Sequence, residues 1–188
     1  LWKSLDASWN KPDWPKAIDI LEQVMAIDAT YPDADDKLFA AHFNYGVQFV
    51  RQEQMDKGIE QFKAALKIFP DDVNAAGELR FAQLYHDASD SYDATDWGGA
   101  ITRLDTIYDI NPDYKRTRTL LYASYYNDGW RLEQAGSLLA AKNRYAQALA
   151  VNPQGGEAGV ALARVNYRIN PPTPTPTPAP VAAKRIEV

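Results

Sequence analysis

The feature that most constrains this chain is a spacing. Ala17, Gly58, Ala100 and Ala141 lie 41, 42 and 41 residues apart. Each small residue is followed four places later by a large apolar one, Leu21, Phe62, Leu104 or Tyr145. Three places further on stands Val24, Ala65, Ile107 or Ala148, and three places before each small residue stands Trp14, Met55, Trp97 or Leu138. An internal repeat of this length describes a stacked array of like units, not one closed core.

Each marked segment reads as a helix with one apolar stripe. In 55–69 the stripe is Ile59, Phe62, Ala65, Leu66 and Phe69, the spacing of a single helical face. Pro70 ends it, and Asp71-Asp72 can cap the next helix. The segments 97–110 and 138–151 repeat the pattern and stop at Asn111-Pro112 and Asn152-Pro153. The first copy, 14–28, opens with Asp13 as a cap and Pro15 in the first turn, where a missing N–H costs nothing. Longer helical stretches alternate with these at 34–52, 73–92 and 114–135, and a closing helix is expected over 155–169. No segment alternates with period two between turn residues, so no sheet is predicted.

The pattern resembles tetratricopeptide repeats, whose unit pairs an L-G-x2-Y helix with an A-x3-F…P helix. Tyr45-Gly46-x2-Phe49, Gly58-x3-Phe62-x2-Ala65 and Pro70 carry the resemblance best. Gly129-x2-Leu132, Gly136, Ala141-x3-Tyr145-x2-Ala148 and Pro153 carry it again. The third copy has Ala88 where the glycine of the first helix belongs, and the first copy has Ala29 in place of the closing proline. The resemblance covers about 1–153 and departs in length, since the family unit has 34 residues. It implies an all-α, right-handed α-solenoid of antiparallel helix hairpins over 1–170, with the surplus length in the first helix of each hairpin or its turn. In a hairpin of this kind the small residue lets the two helices approach.

Little in the chain points to chemistry. With no Cys, disulfides, zinc–thiolate centres and thiol nucleophiles are excluded. The two histidines, His42 and His86, sit in no metal or catalytic spacing, and His42 is expected as a packed or half-buried polar ring. Asp87, Asp90, Asp93 and Asp96 recur every three residues without the spacing of a calcium loop, and read as a solvated face leading to a helix cap. No catalytic site, cofactor or metal is expected. A net charge of −5 argues against nucleic acid as a partner, the local cluster Lys115, Arg116 and Arg118 suiting a solvated helix start. No apolar run is long enough to cross a bilayer.

A recognition surface is the better candidate. The resemblance implies that the first helices line an inner wall. Aligned on the repeat, Trp2, Phe43, Tyr85 and Tyr126 form one row, spaced 41, 42 and 41. A second row is Asp6, Val47, Ser89 and Trp130, and a third is Trp9, Val50, Tyr92 and Glu133. Facing inward, Trp2, Phe43, Tyr85, Tyr92, Tyr126 and Trp130 would offer rigid aromatic contact to a protein or peptide partner. The alternative is that the first row is inter-helix core or rests on the next repeat. Family members that grip acidic chaperone tails resemble one another in a Lys/Asn/Arg clamp on these rows, which here hold aromatic, apolar or acidic residues.

After Asn170-Pro171-Pro172, proline alternates with small residues over 173–180, which predicts an extended polyproline spacer in a tail over 171–188. The tail reads as a tether to a further domain or anchor, or as a segment lying against the array or a neighbouring chain, with 181–188 adding a strand or filling an apolar groove. The Thr-Pro alternation also resembles glycosylated stalks of exported proteins, and the sequence opens at Leu1 as a processed product or part of a longer chain would. The expectation is a non-enzymatic interaction scaffold outside the cytoplasm that helps assemble a multiprotein complex. The rival is a structural subunit of an extracytoplasmic assembly that self-associates through 171–188. The recruiting arm of an enzyme complex and a carbohydrate-binding role for the aromatic rings are further alternatives.

Overall fold

A computed structural model of the chain describes residues 13–172. Among them are eight α-helices and no strand: α1 (Trp14–Ile27), α2 (Ala34–Arg51), α3 (Met55–Ile68), α4 (Val73–Asp93), α5 (Trp97–Ile110), α6 (Thr117–Gln134), α7 (Leu138–Val151) and α8 (Gly156–Ile169). The all-helical fold and the alternation of long and short helices match the reading of the repeat. The second helices α1, α3, α5 and α7 each have 14 residues, whereas the first helices α2, α4 and α6 have 18, 21 and 18. The surplus length therefore sits in the first helices.

Local chemistry sets the ends. Asp13, Asp72 and Asp96 cap α1, α4 and α5, their carboxylates accepting from the backbone N–H of Lys16, Ala75 and Gly99. The three hairpin turns, 52–54, 94–96 and 135–137, share one geometry. The middle residue is left-handed in each: Glu53 at φ 61°, Thr95 at φ 59° and Gly136 at φ 77°. The next residue then donates its N–H to a carbonyl five positions back, Gln54 to Phe49, Asp96 to Ser91 and Ser137 to Leu132. Glycine adopts this conformation freely, whereas a β-branched threonine does so under strain.

The helices of a hairpin meet where a small residue faces a large one. A Cβ added to Gly46 would lie 2.7 Å from the ring of Phe62, and one added to Gly129 would lie 2.8 Å from the ring of Tyr145. Ala88 holds the equivalent place in the third copy, and there the residue sixteen positions on is Leu104; both are fully buried. Volume is thus exchanged across the crossing: glycine against an aromatic ring, alanine against leucine.

Compact packing divides the described residues within α6, one unit ending at Tyr125 and the other beginning at Tyr126. An array in which units touch mainly their neighbours has no single core over 1–170 to prevent this. In the first unit, Ala17, Ile20, Leu21, Leu38 and Ala41 form a buried cluster flanked by Trp14, Ile18, Met25 and Ile68. In the second, Ala141, Tyr145, Ala161 and Val165 are flanked by Tyr126, Leu132, Leu138, Leu162 and Ile169.

The second unit is also held by a buried charge. Glu133 on α6 is 3% exposed. Arg164 on α8 donates to both its oxygens at 2.9 and 2.7 Å, Arg168 donates at 3.0 Å, and the Tyr145 hydroxyl on α7 donates at 2.9 Å. A single carboxylate so ties three helices with four donated hydrogen bonds. The Arg164 hydrogen bonds outweigh the opposing effect of burial, and with Tyr145 they hold the carboxyl down at about 2 against an ordinary 4.5. The Tyr145 hydroxyl is pushed well up by its own burial and by the carboxylate it serves.

The crossing, the turn and the buried charge can each be tested by stability. Gly46→Ala and Gly129→Ala should each cost about 1–3 kcal/mol in urea melts. Leu104→Phe should cost a similar amount, and adding Ala88→Gly should recover part of it; strictly additive losses would contradict the volume exchange. Thr95→Gly should gain about 1 kcal/mol by relieving the left-handed strain. Glu133→Gln should lose about 1–3 kcal/mol at neutral pH. Because the folded pKa of Glu133 is depressed, its contribution is complete above the unfolded value near 4.5 and disappears as pH falls through about 2. Melts of the parent and the glutamine variant should therefore converge over that window.

Candidate functional site

The aromatic rows do not share one fate. Phe43 is half-buried, stacked on Phe39 at 6.1 Å and tilted on Phe62 at 5.8 Å. Tyr126 stands in the equivalent relation to Tyr145, 5.7 Å away. Both rings rest partly on the large residue of the second helix, so this row is in part the inter-helix core weighed as the alternative. Tyr85 departs furthest from the expectation of a surface ring: it is 7% exposed and meets Tyr114 edge-on at 5.8 Å. Burial, the largest influence on it, raises the pKa of its hydroxyl. Tyr92 is half-buried against Trp97 of its own hairpin, at 5.2 Å. Trp130 is 54% exposed. Trp2, with Asp6 and Trp9 of the other rows, lies outside the described residues, as does the tail from Thr173 onward.

A groove does form in the first unit, on residues partly different from those rows. Phe39 and Phe43 of α2 face Val73, Asn74, Gly77, Glu78 and Phe81 of α4, with the capping Asp72 at one end. Its volume is about 460 Å³. Val73 is 79% exposed at the rim. Two carboxylates line the groove and no Lys or Arg does. Such a surface suits an apolar segment carrying positive charge.

Sequence reasoning missed Phe39 and Phe81. The signal was present: Phe39, Phe81 and Tyr122 recur at 42 and 41, one helical turn before Phe43, Tyr85 and Tyr126 of the first row. The expected ring, Tyr85, is displaced from the groove by the α5–α6 connection. There Tyr114 stacks on Phe81 at 5.3 Å and covers Tyr85, while the neighbouring Lys115 donates to the Val50 carbonyl at the end of α2. The Tyr114 hydroxyl is buried without a hydrogen-bond partner. Burial first, then the charge of Glu78, raises its pKa to about 12.

Other polar groups are engaged structurally. His42 Nδ1 lies 2.8 Å from Gln61 Oε1, in the half-buried setting expected of it. His86 sits between Asp56 and Asp90, at 3.1 and 3.6 Å. In the second unit Asp128, 4% exposed, receives Arg131 at 2.6 Å and Arg144 at 2.7 Å. Among the described residues no cluster of three His, Asp or Glu side chains is arranged to hold a metal ion, and no helix is long and apolar enough to cross a membrane.

No family model matches the chain, and no curated protein matches it. Among solved structures the chain is similar to a point mutant of MamA, with 21% identity and a TM-score of 0.28, covering 89% of this chain and 84% of that one. It is similar to MamA of MSR-1 at 19% identity and a TM-score of 0.27, covering 89% and 83%. BtubC from P. vanneervenii is similar at 15% identity and a TM-score of 0.29, covering 98% and 84%. At such identities and scores these neighbours bear on neither ligand nor partner.

Proposed function

We propose that this chain is a non-enzymatic protein-interaction scaffold whose α2–α4 groove holds a peptide segment of a partner and so helps to assemble a multiprotein complex. The observation that carries the reading is the groove itself. Phe39 and Phe43 of α2, stacked on each other, line one cleft together with Phe81 of α4, an exposed valine and two carboxylates. Aromatic rings give large contact area at low entropy cost, and the carboxylates select for a cation beside the apolar anchor. The exposed face of Trp130 in the second unit is a further contact surface on the same reading. The Thr-Pro alternation of 173–180 supports a site of action outside the cytoplasm, where such stalks occur.

A panel of apolar–basic peptides titrated by fluorescence polarisation tests the groove. Phe81→Ala and Val73→Arg should each weaken binding by about tenfold or more. Val73 is largely exposed, so its replacement should leave the melting temperature nearly unchanged. Affinity should fall with added salt. Binding indifferent to both substitutions would remove the groove from consideration.

A further inference from the structure

We infer that the occupant of the α2–α4 groove is the segment 181–188 of a second copy of this chain, so that copies associate head to tail. The inference rests on the groove being a recognition surface, and it names the partner.

Charge is the first ground. Residues up to Tyr125 carry 13 Lys and Arg against 21 Asp and Glu, a net −8, whereas residues from Tyr126 onward carry seven against four, a net +3. A contact between two first units is opposed by their common sign. A contact between the first unit of one copy and the C-terminal part of another is favoured. Such a contact joins different faces of the two copies and is heterologous.

Local chemistry is the second. The groove offers Asp72 and Glu78 beside Phe39, Phe43, Phe81 and Val73, with no cation among its lining residues. The segment Val181-Ala182-Ala183-Lys184-Arg185-Ile186-Glu187-Val188 places two adjacent cations among small and branched apolar residues. Lys184 or Arg185 can meet Glu78 and the faces of the phenylalanine rings, while Val181 and Ile186 fill apolar space beside Val73. No other run among residues 126–188 combines two adjacent cations with flanking Val and Ile.

Sedimentation velocity of the full chain at several concentrations and salt levels tests this. Self-association should appear and weaken with salt. The variant Lys184→Glu/Arg185→Glu and the variant Glu78→Lys should each weaken it by about tenfold or more. Mixing the two variants should restore it, because the basic tail of one then meets the parental groove of the other. A chain that stays monomeric, or association indifferent to both variants, overturns the inference. So does a monomer whose Gly77 and Glu78 amide resonances move when 181–188 is deleted, since the segment then occupies its own groove. A groove that binds unrelated apolar–basic peptides but not a 181–188 peptide overturns this assignment alone; one that binds neither overturns the reading of the groove as well.

Discussion

The structure depends on how closely two helices can approach within a hairpin. Gly46 against Phe62 and Gly129 against Tyr145 leave no room for even a methyl group between backbone and ring. This contact fixes the register of the first helix on the second, and so decides which face remains for other uses. Phe43 and Phe39, three and seven residues before Gly46, lie on the same side of α2 as the glycine, so that register also sets where their rings stand. The groove is therefore downstream of the crossing: a rotation of α2 that relieved the crossing would also turn its aromatic wall away.

Much of the fold was legible because its determinants are local. Pro70, Pro112 and Pro153 mark the ends of second helices, and the capping roles of Asp13, Asp72 and Asp96 follow from side chains within three residues of their partners. What stayed hidden was non-local or conformational. The left-handed turns at Glu53 and Thr95 carry no glycine to announce them, unlike Gly136. Tyr85 reads as a surface ring until Tyr114, from a connection 29 residues away, covers it. Glu133 reads as one more member of a row, because the arginines that engage it lie 31 and 35 residues further on. The aromatic row one turn earlier was available to the same periodic alignment, which was anchored on a different turn of the helix.

The two units use polar chemistry differently. In the second, buried carboxylates at Asp128 and Glu133 are matched by arginines whose heads still reach water, so the charges tie helices together. In the first, the groove carboxylates have no arginine beside them among the lining residues, and Tyr114 keeps a buried hydroxyl without a partner. Charge that is internally satisfied contributes to the fold, and charge left uncompensated at a surface is available to another molecule.

The unequal length of the first helices has a consequence of its own. α4 is three residues longer than α2 or α6, and the connection leading into it, 69–72, is shorter than the ones before α2 and α6, 28–33 and 111–116. The added residues at its start include Val73 and Asn74, which stand at the lip of the groove. Residues taken from a linker have become wall. A family of such arrays could vary its appetite for ligands by lengthening or trimming that one terminal turn, leaving every hairpin crossing untouched.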